Sequence, residues 1–177
     1  YSSHAVNKPY TQSTHVITMN TADPTFPLEE LAEQVSTLLM NGGTLGDTFD
    51  YNEQDYEVLY ALGHSLYSQG RYADAMKAFG YLVVHNHLEK RFMNAFASSL
   101  QMIKSYEEAI KYYSLASVMD IGDPGPTFHT CECLLALGQT DDARQGLAMV
   151  IEQCDSHEEY ASMKARAEAL QGFLDSQ

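Results

Sequence analysis

The chain has 177 residues, a formal net charge of −14 and 45% apolar residues including 12 Tyr and 7 Phe, enough for one domain with a core of its own. It carries no Lys or Arg from Pro9 to Gly70, while nine acidic residues fall between Asp23 and Glu57, which argues against nucleic acid and anionic membrane surfaces as partners. No run of apolar residues is long enough to span a bilayer, the N-terminus lacks the pattern of a secretory signal, and three cysteines suit a reducing compartment better than a disulfide scaffold.

Residues 1–26 are polar and punctuated by Pro9 and Pro24, with Pro27 just beyond. Met19 has the character of an initiator methionine, which would make Tyr1–Thr18 an added piece. Residues 27–55 hold a helix from Pro27 to Met40 and a linker. Leu28, Leu31, Val35, Leu38 and Leu39 share one face of that helix, Glu29 and Glu30 suit its positive end, and Asn41-Gly42-Gly43 stops it. The stripe needs a partner: either the first repeat, as an end cover, or a second copy of the chain.

Residues 56–155 repeat with a period of 34. Ala75, Ala109 and Ala143 are in phase, as are Leu66, Leu100 and Leu134, and Phe79, Tyr113 and Leu147. Gly70 and Gly138 share a turn position with Lys104 between them. Small residues where two helices press together, bulky residues four positions later and turn glycines at this period are the tetratricopeptide pattern. The expected helix pairs are Asp55–Gln69 with Tyr72–His85, Lys90–Ile103 with Tyr106–Met119, and Thr127–Leu137 with Asp141–Gln153. Asp123-Pro124-Gly125-Pro126 breaks the chain before the third pair. Residues 156–177 hold a last helix, His157–Leu174, with Asp155-Ser156 as its cap and Ala161, Ala165, Ala169 and Leu170 along one side. The fold class is therefore all-α, a superhelix of three helix pairs with an N-terminal and a C-terminal capping helix.

In such a stack the first helix of each pair lines the inside of the curve. Positions 2, 5, 9 and 12 give Glu57, Tyr60, His64 and Tyr67, then Arg91, Asn94, Ser98 and Gln101, then Gly125, Phe128, Glu132 and Leu135, with His129 adjacent. This lining is aromatic at both ends and polar in the middle. Tyr offers a large contact area with a hydrogen-bonding tip, and Asn and Gln can pair with a main chain, so the wall suits an extended protein segment with a few apolar anchors.

The stretches NGGTLGDTF, LYALGHSLYSQGRYADAMKAF, YSLASVMDIGDP and FHTCECLLALG resemble the class II, or translocator, chaperones of bacterial type III secretion (the LcrH/SycD family). The likeness runs from about Leu28 to Gln153. It implies a bacterial cytoplasmic chaperone that holds an extended, proline-containing segment of a hydrophobic, pore-forming translocator in its concave groove. By position, Tyr60, His64, Tyr67, Arg91, Asn94, Phe128 and His129 would line that groove. The resemblance also implies that the N-terminal helix takes part in a homodimer. The Tyr1–Thr18 segment is not part of the pattern.

No catalysis and no cofactor are expected. Cys131 and Cys133 lie near His129, but residues two apart on a helix point about 200° apart and cannot converge on one ion. Their spacing matches no zinc pattern, and no phosphate loop, nucleophile elbow or HExxH motif occurs. Two further readings stay open: an adaptor that captures C-terminal carboxylates, which needs groove cations where only Arg91 is present, and a scaffold that self-associates through its N-terminal region.

Overall fold

A computed structural model describes residues 33, 36–38, 40–49, 51–155 and 157–176. The expected extended segment 1–26 and most of the expected N-terminal helix lie outside the described residues. The end of that helix is described. Residues 36–38 and 40 are helical, Asn41 N–H donates to Thr37 O at 3.1 Å, and Gly42 turns the chain at φ +75°. The short helix α1, Leu45–Thr48, comes next under a capping box in which Thr44 and Asp47 satisfy each other's backbone N–H. Gly46 sits so close to the next elements that a Cβ there would meet Tyr56 Oη and the His85 carbonyl, so this linker is docked on the first repeat.

Six helices form three antiparallel pairs: α2 Glu53–Ser68 with α3 Tyr72–His85, α4 Lys90–Met102 with α5 Tyr106–Met119, and α6 Gly125–Ala136 with α7 Thr140–Cys154. A 3-10 turn, Glu158–Tyr160, leads into α8, Ala161–Asp175. From α2 onward each helix packs chiefly against its neighbours in sequence, as a one-dimensional stack requires, while α1 packs on α3.

The 34-residue period has a visible cause. Ala75, Ala109 and Ala143 are fully buried, and Phe79, Tyr113 and Leu147 are at most 1% exposed, filling the space beside them. The turns are superposable. At Gly70, Lys104 and Gly138 the chain takes a left-handed φ of 75°, 66° and 76°. The next residue's N–H then reaches back five positions: Arg71 to Leu66, Ser105 to Leu100 and Gln139 to Leu134, at 2.9–3.0 Å. That is the Schellman closure of a helix, and glycine suits it because it lacks a Cβ. Between pairs, Lys90 Nζ bridges Asp120 at 2.6 Å and Asp123 at 2.9 Å, tying the start of α4 to the loop before α6.

Two boundaries and one buried face differ from expectation for physical reasons. The third pair begins at Gly125, because Pro124 serves as N-cap and Pro126 sits in the first turn, where no backbone N–H is needed. Asp155 closes α7 instead of starting the last helix, and its carboxylate pairs with Lys164 at 2.7 Å. In α8 the buried side is Ala167 and Leu174, with Tyr160, Met163 and Leu170 beside them; Ala161, Ala165 and Ala169 are exposed. The alanine stripe was the wrong face. Of the expected stripe only Leu170 packs on the third repeat; Tyr160, Met163 and Leu174 have more apolar area to remove from water than the alanines, and they set the helix's rotation.

Candidate functional site

The inner surface of the curve carries a groove enclosing about 340 Å³. The first helices of all three pairs supply its wall. Tyr60, His64 and Tyr67 come from α2, Arg91, Asn94, Ala95 and Ser98 from α4, and Gly125, Pro126 and His129 from α6. Of the expected residues, Tyr60, His64, Tyr67, Arg91, Asn94, Ser98 and His129 therefore meet around one space. Among the described residues nothing fills it.

Gly125 joins them, and the other five residues expected on the wall stand elsewhere: Glu57 is exposed and paired with Arg91, and Leu135 packs against the third-repeat core. Phe128 is fully buried, packed with Cys131, Leu147 and Val150 under the guanidinium of Arg166, so it belongs to the core of the third repeat and not to the wall. Gln101 and Glu132 are half-buried and bonded to each other, Gln101 Nε2 donating to Glu132 Oε2 at 3.2 Å. They do not line the groove but bond to Tyr113 and His129, which do.

Two contributors come from second helices and were not among the expected residues. Phe79 and Tyr113 form part of the lining although each is almost fully buried. They reach the groove between the first helices. Gly63 makes the gap for Phe79, since a Cβ at Gly63 would meet that ring at 2.5 Å. The signal was in the repeat itself: the bulky position that packs between units also shows its edge at the inner wall.

At the first-repeat end the groove is aromatic. The rings of Tyr60 and His64 meet edge-on at 4.6 Å, and both lean on Phe79, at 5.7 and 5.5 Å. Arg91 lies 5.0 Å over the Tyr60 ring and pairs with Glu57 and, at 3.6 Å, with Glu89. The groove's expected cation is thus neutralised by two carboxylates. Burial holds the Tyr60 phenol above its ordinary range despite the pull of Arg91, so it stays a neutral hydrogen-bonding group. In the middle, Tyr67 Oη and Ser98 Oγ are 2.8 Å apart. The side-chain oxygen of Asn94 is buried on this wall without a partner among the described residues, a state that costs about 1–3 kcal/mol.

The cysteines point away from the groove and from each other. Cys131 packs in the third-repeat core, while Cys133 packs with Ala97, Leu100 and Tyr113 of the second. Burial pushes their thiols up to about 11 and about 12, so both stay protonated and unreactive at neutral pH. Among the described residues, no group of three or more His, Cys, Asp or Glu side chains is placed to hold a metal ion, and no helix is long and apolar enough to cross a membrane.

Fold and groove together define a tetratricopeptide-repeat protein with a peptide-sized inner channel. The tetratricopeptide repeat family model matches residues 56–84 and 93–121. Low calcium response locus protein H of Yersinia pestis is 31% identical over 142 residues, covering 80% of this chain and 84% of that protein. The type III secretion translocator chaperone SycD of Yersinia enterocolitica superposes with a TM-score of 0.68 at 32% identity, over 73% of this chain and 97% of that chain. PcrH, solved in complex with the chaperone binding region of PopD, superposes with a TM-score of 0.69 at 31% identity, over 72% of this chain and 96% of that one. The chain belongs to the family of type III secretion translocator chaperones.

Proposed function

We propose that this chain is a bacterial cytoplasmic chaperone that holds an extended segment of a type III secretion translocator in its inner groove until export. The observation that carries the reading is the open, aromatic-walled channel shared by three repeats. Its size and lining suit the side chains of an extended strand, not a whole helix. Two relatives that cover most of this chain have been solved with such cargo: PcrH with the chaperone binding region of PopD, and SycD with a peptide of the translocator YopD. The unpaired Asn94 oxygen supports the same use, because rotation of that amide would present it to a main-chain N–H of the guest.

A translocator carries membrane-seeking segments that aggregate in water. Holding one stretch on an acidic scaffold with a net charge of −14 keeps the complex dispersed and leaves release to competition, with no chemistry needed. This chain performs binding and no catalysis. The carboxylate-capturing alternative is not favoured, since Arg91 is already engaged by Glu57 and Glu89. A homodimer through the N-terminal helix belongs to the proposal; the relative SycD has been solved in an alternative dimer.

Coexpression tests the reading. The host's translocator is expected in the soluble fraction only with this chain present, and the two are expected to copurify. A translocator that stays insoluble with or without the chaperone would overturn it.

A further inference from the structure

Glu132 is the hub of a polar cluster at the third-repeat end of the groove. Its Oε1 accepts from Arg166 Nη2 at 2.9 Å, across from the C-terminal helix. Its Oε2 accepts from His129 Nδ1 at 2.8 Å and from Gln101 Nε2 at 3.2 Å. Gln101 is itself oriented, because its Oε1 accepts the Tyr113 hydroxyl at 2.9 Å. The Tyr113 and His129 rings lie nearly parallel, 24° apart with centroids at 5.4 Å. On the edge of the imidazole away from Glu132, the Nε2 of His129 has no hydrogen-bond partner among the described residues.

The protonation states are set by the geometry. Burial opposes charge on Glu132, but the hydrogen bonds from His129 and Gln101 outweigh it and hold the carboxyl below its ordinary range. An ionised carboxylate only accepts, so the proton on the facing imidazole sits on Nδ1. In the neutral form of the ring the lone pair is then on Nε2. The His129 side chain is 39% exposed and lines the groove, so that lone pair is available to a guest.

We propose that Arg166 is a positioning residue of the groove: by anchoring Glu132 it sets the tautomer of His129, whose Nε2 accepts a main-chain N–H from the bound segment. The proposal rests on the groove being the client site. An extended guest brings one unpaired N–H per residue, proline excepted, and a wall that reads the main chain tolerates varied side chains. The residue facing His129 is consequently not proline, which has no N–H to give. The helix that covers the end of the stack thus contributes to recognition at a distance, through one carboxylate.

Imidazole nitrogen NMR on the full chain, with His129 assigned by its loss in His129→Gln, reads the tautomer directly. Wild type is expected to show a protonated Nδ1 and a bare Nε2. Arg166→Met, which keeps an apolar stem over Phe128, is expected to mix the tautomers, and Arg166→Lys to restore the single form. Binding is read with overlapping Trp-labelled peptides tiling the host's translocators, because the chain itself has no Trp. For the tightest peptide, Arg166→Met is expected to weaken binding about fivefold, the worth of one hydrogen bond. N-methylation of one guest amide is expected to cost as much in wild type and nothing in His129→Phe. An Nε2-protonated ring in wild type, or Arg166→Met leaving tautomer and affinity unchanged, overturns the proposal, as does an N-methyl effect that survives His129→Phe. If no peptide binds wild type, the client-site reading falls, while the tautomer of Arg166→Met still decides whether Arg166 positions His129.

Discussion

Tyr60 and Phe128 occupy the same position in the first and third repeats, yet one lines the groove and the other is fully buried. The difference lies in the element stacked on each pair. On Tyr60 rests Arg91, the next repeat's first-helix residue, which lines the groove and pairs with Glu57 and Glu89. Over Phe128 lies Arg166, from a helix that is not a repeat at all, paired with Glu132 and outside the groove lining. One end of the groove is therefore an aromatic wall and the other is bordered by a polar cluster. Equivalent positions in a repeat array share a backbone environment, but the guest-facing surface depends on the neighbour that covers it.

Mutations can break this comparison. The largest expected effect is Phe128→Ala, which should destabilise the fold by about 3–5 kcal/mol in urea unfolding, as removal of a buried aromatic does. A loss below ~1 kcal/mol would return Phe128 to the wall and erase the contrast. Next, Tyr60→Ala with Tyr67→Ala should weaken translocator-peptide binding by at least tenfold, about 1.4 kcal/mol, in a fluorescence titration. Unchanged affinity would place the guest elsewhere.

Acid sensitivity comes third. Glu132 has a folded-state pKa below its unfolded value, so it adds stability that is present above the unfolded value near 4.3 and lost as pH falls through the folded one. Glu132→Gln should therefore flatten the stability-versus-pH curve below about pH 4.3 and leave the slope above it unchanged. An unaltered acid slope would mean the cluster is not electrostatically coupled to folding.

The smallest effect tests how alike the three turns are. Lys104 holds a left-handed φ of 66° where the other repeats have glycine. Lys104→Gly relieves about 1 kcal/mol of strain and loses part of that to unfolded-chain entropy, for a net gain of roughly 0.5 kcal/mol in chemical denaturation. A destabilised variant would show that the lysine's own contacts outweigh its backbone strain.

Much of the molecule was legible before any coordinates. The period of 34 residues specified three helix pairs because each recurring Ala, bulky residue and turn glycine meets a local steric need, and local needs are written at fixed offsets. The expected spans for Tyr72–His85 and Tyr106–Met119 match the observed helices. Eight of the thirteen residues expected on the wall line the groove for the same reason, since inward positions on a helix are dictated by its pitch. What the chain's letters did not disclose were relations between distant residues. Phe79 and Tyr113 show at the wall only because two helices leave a gap, and α8 turns its Ala167 and Leu174 inward only because the third repeat offers a hollow there. Arg166 and Glu132 are separated by a whole helix pair's length of chain and joined by one hydrogen bond. Helix pitch and turn stereochemistry act within a few residues and can be read in order, whereas which side chain covers which is settled by packing in three dimensions.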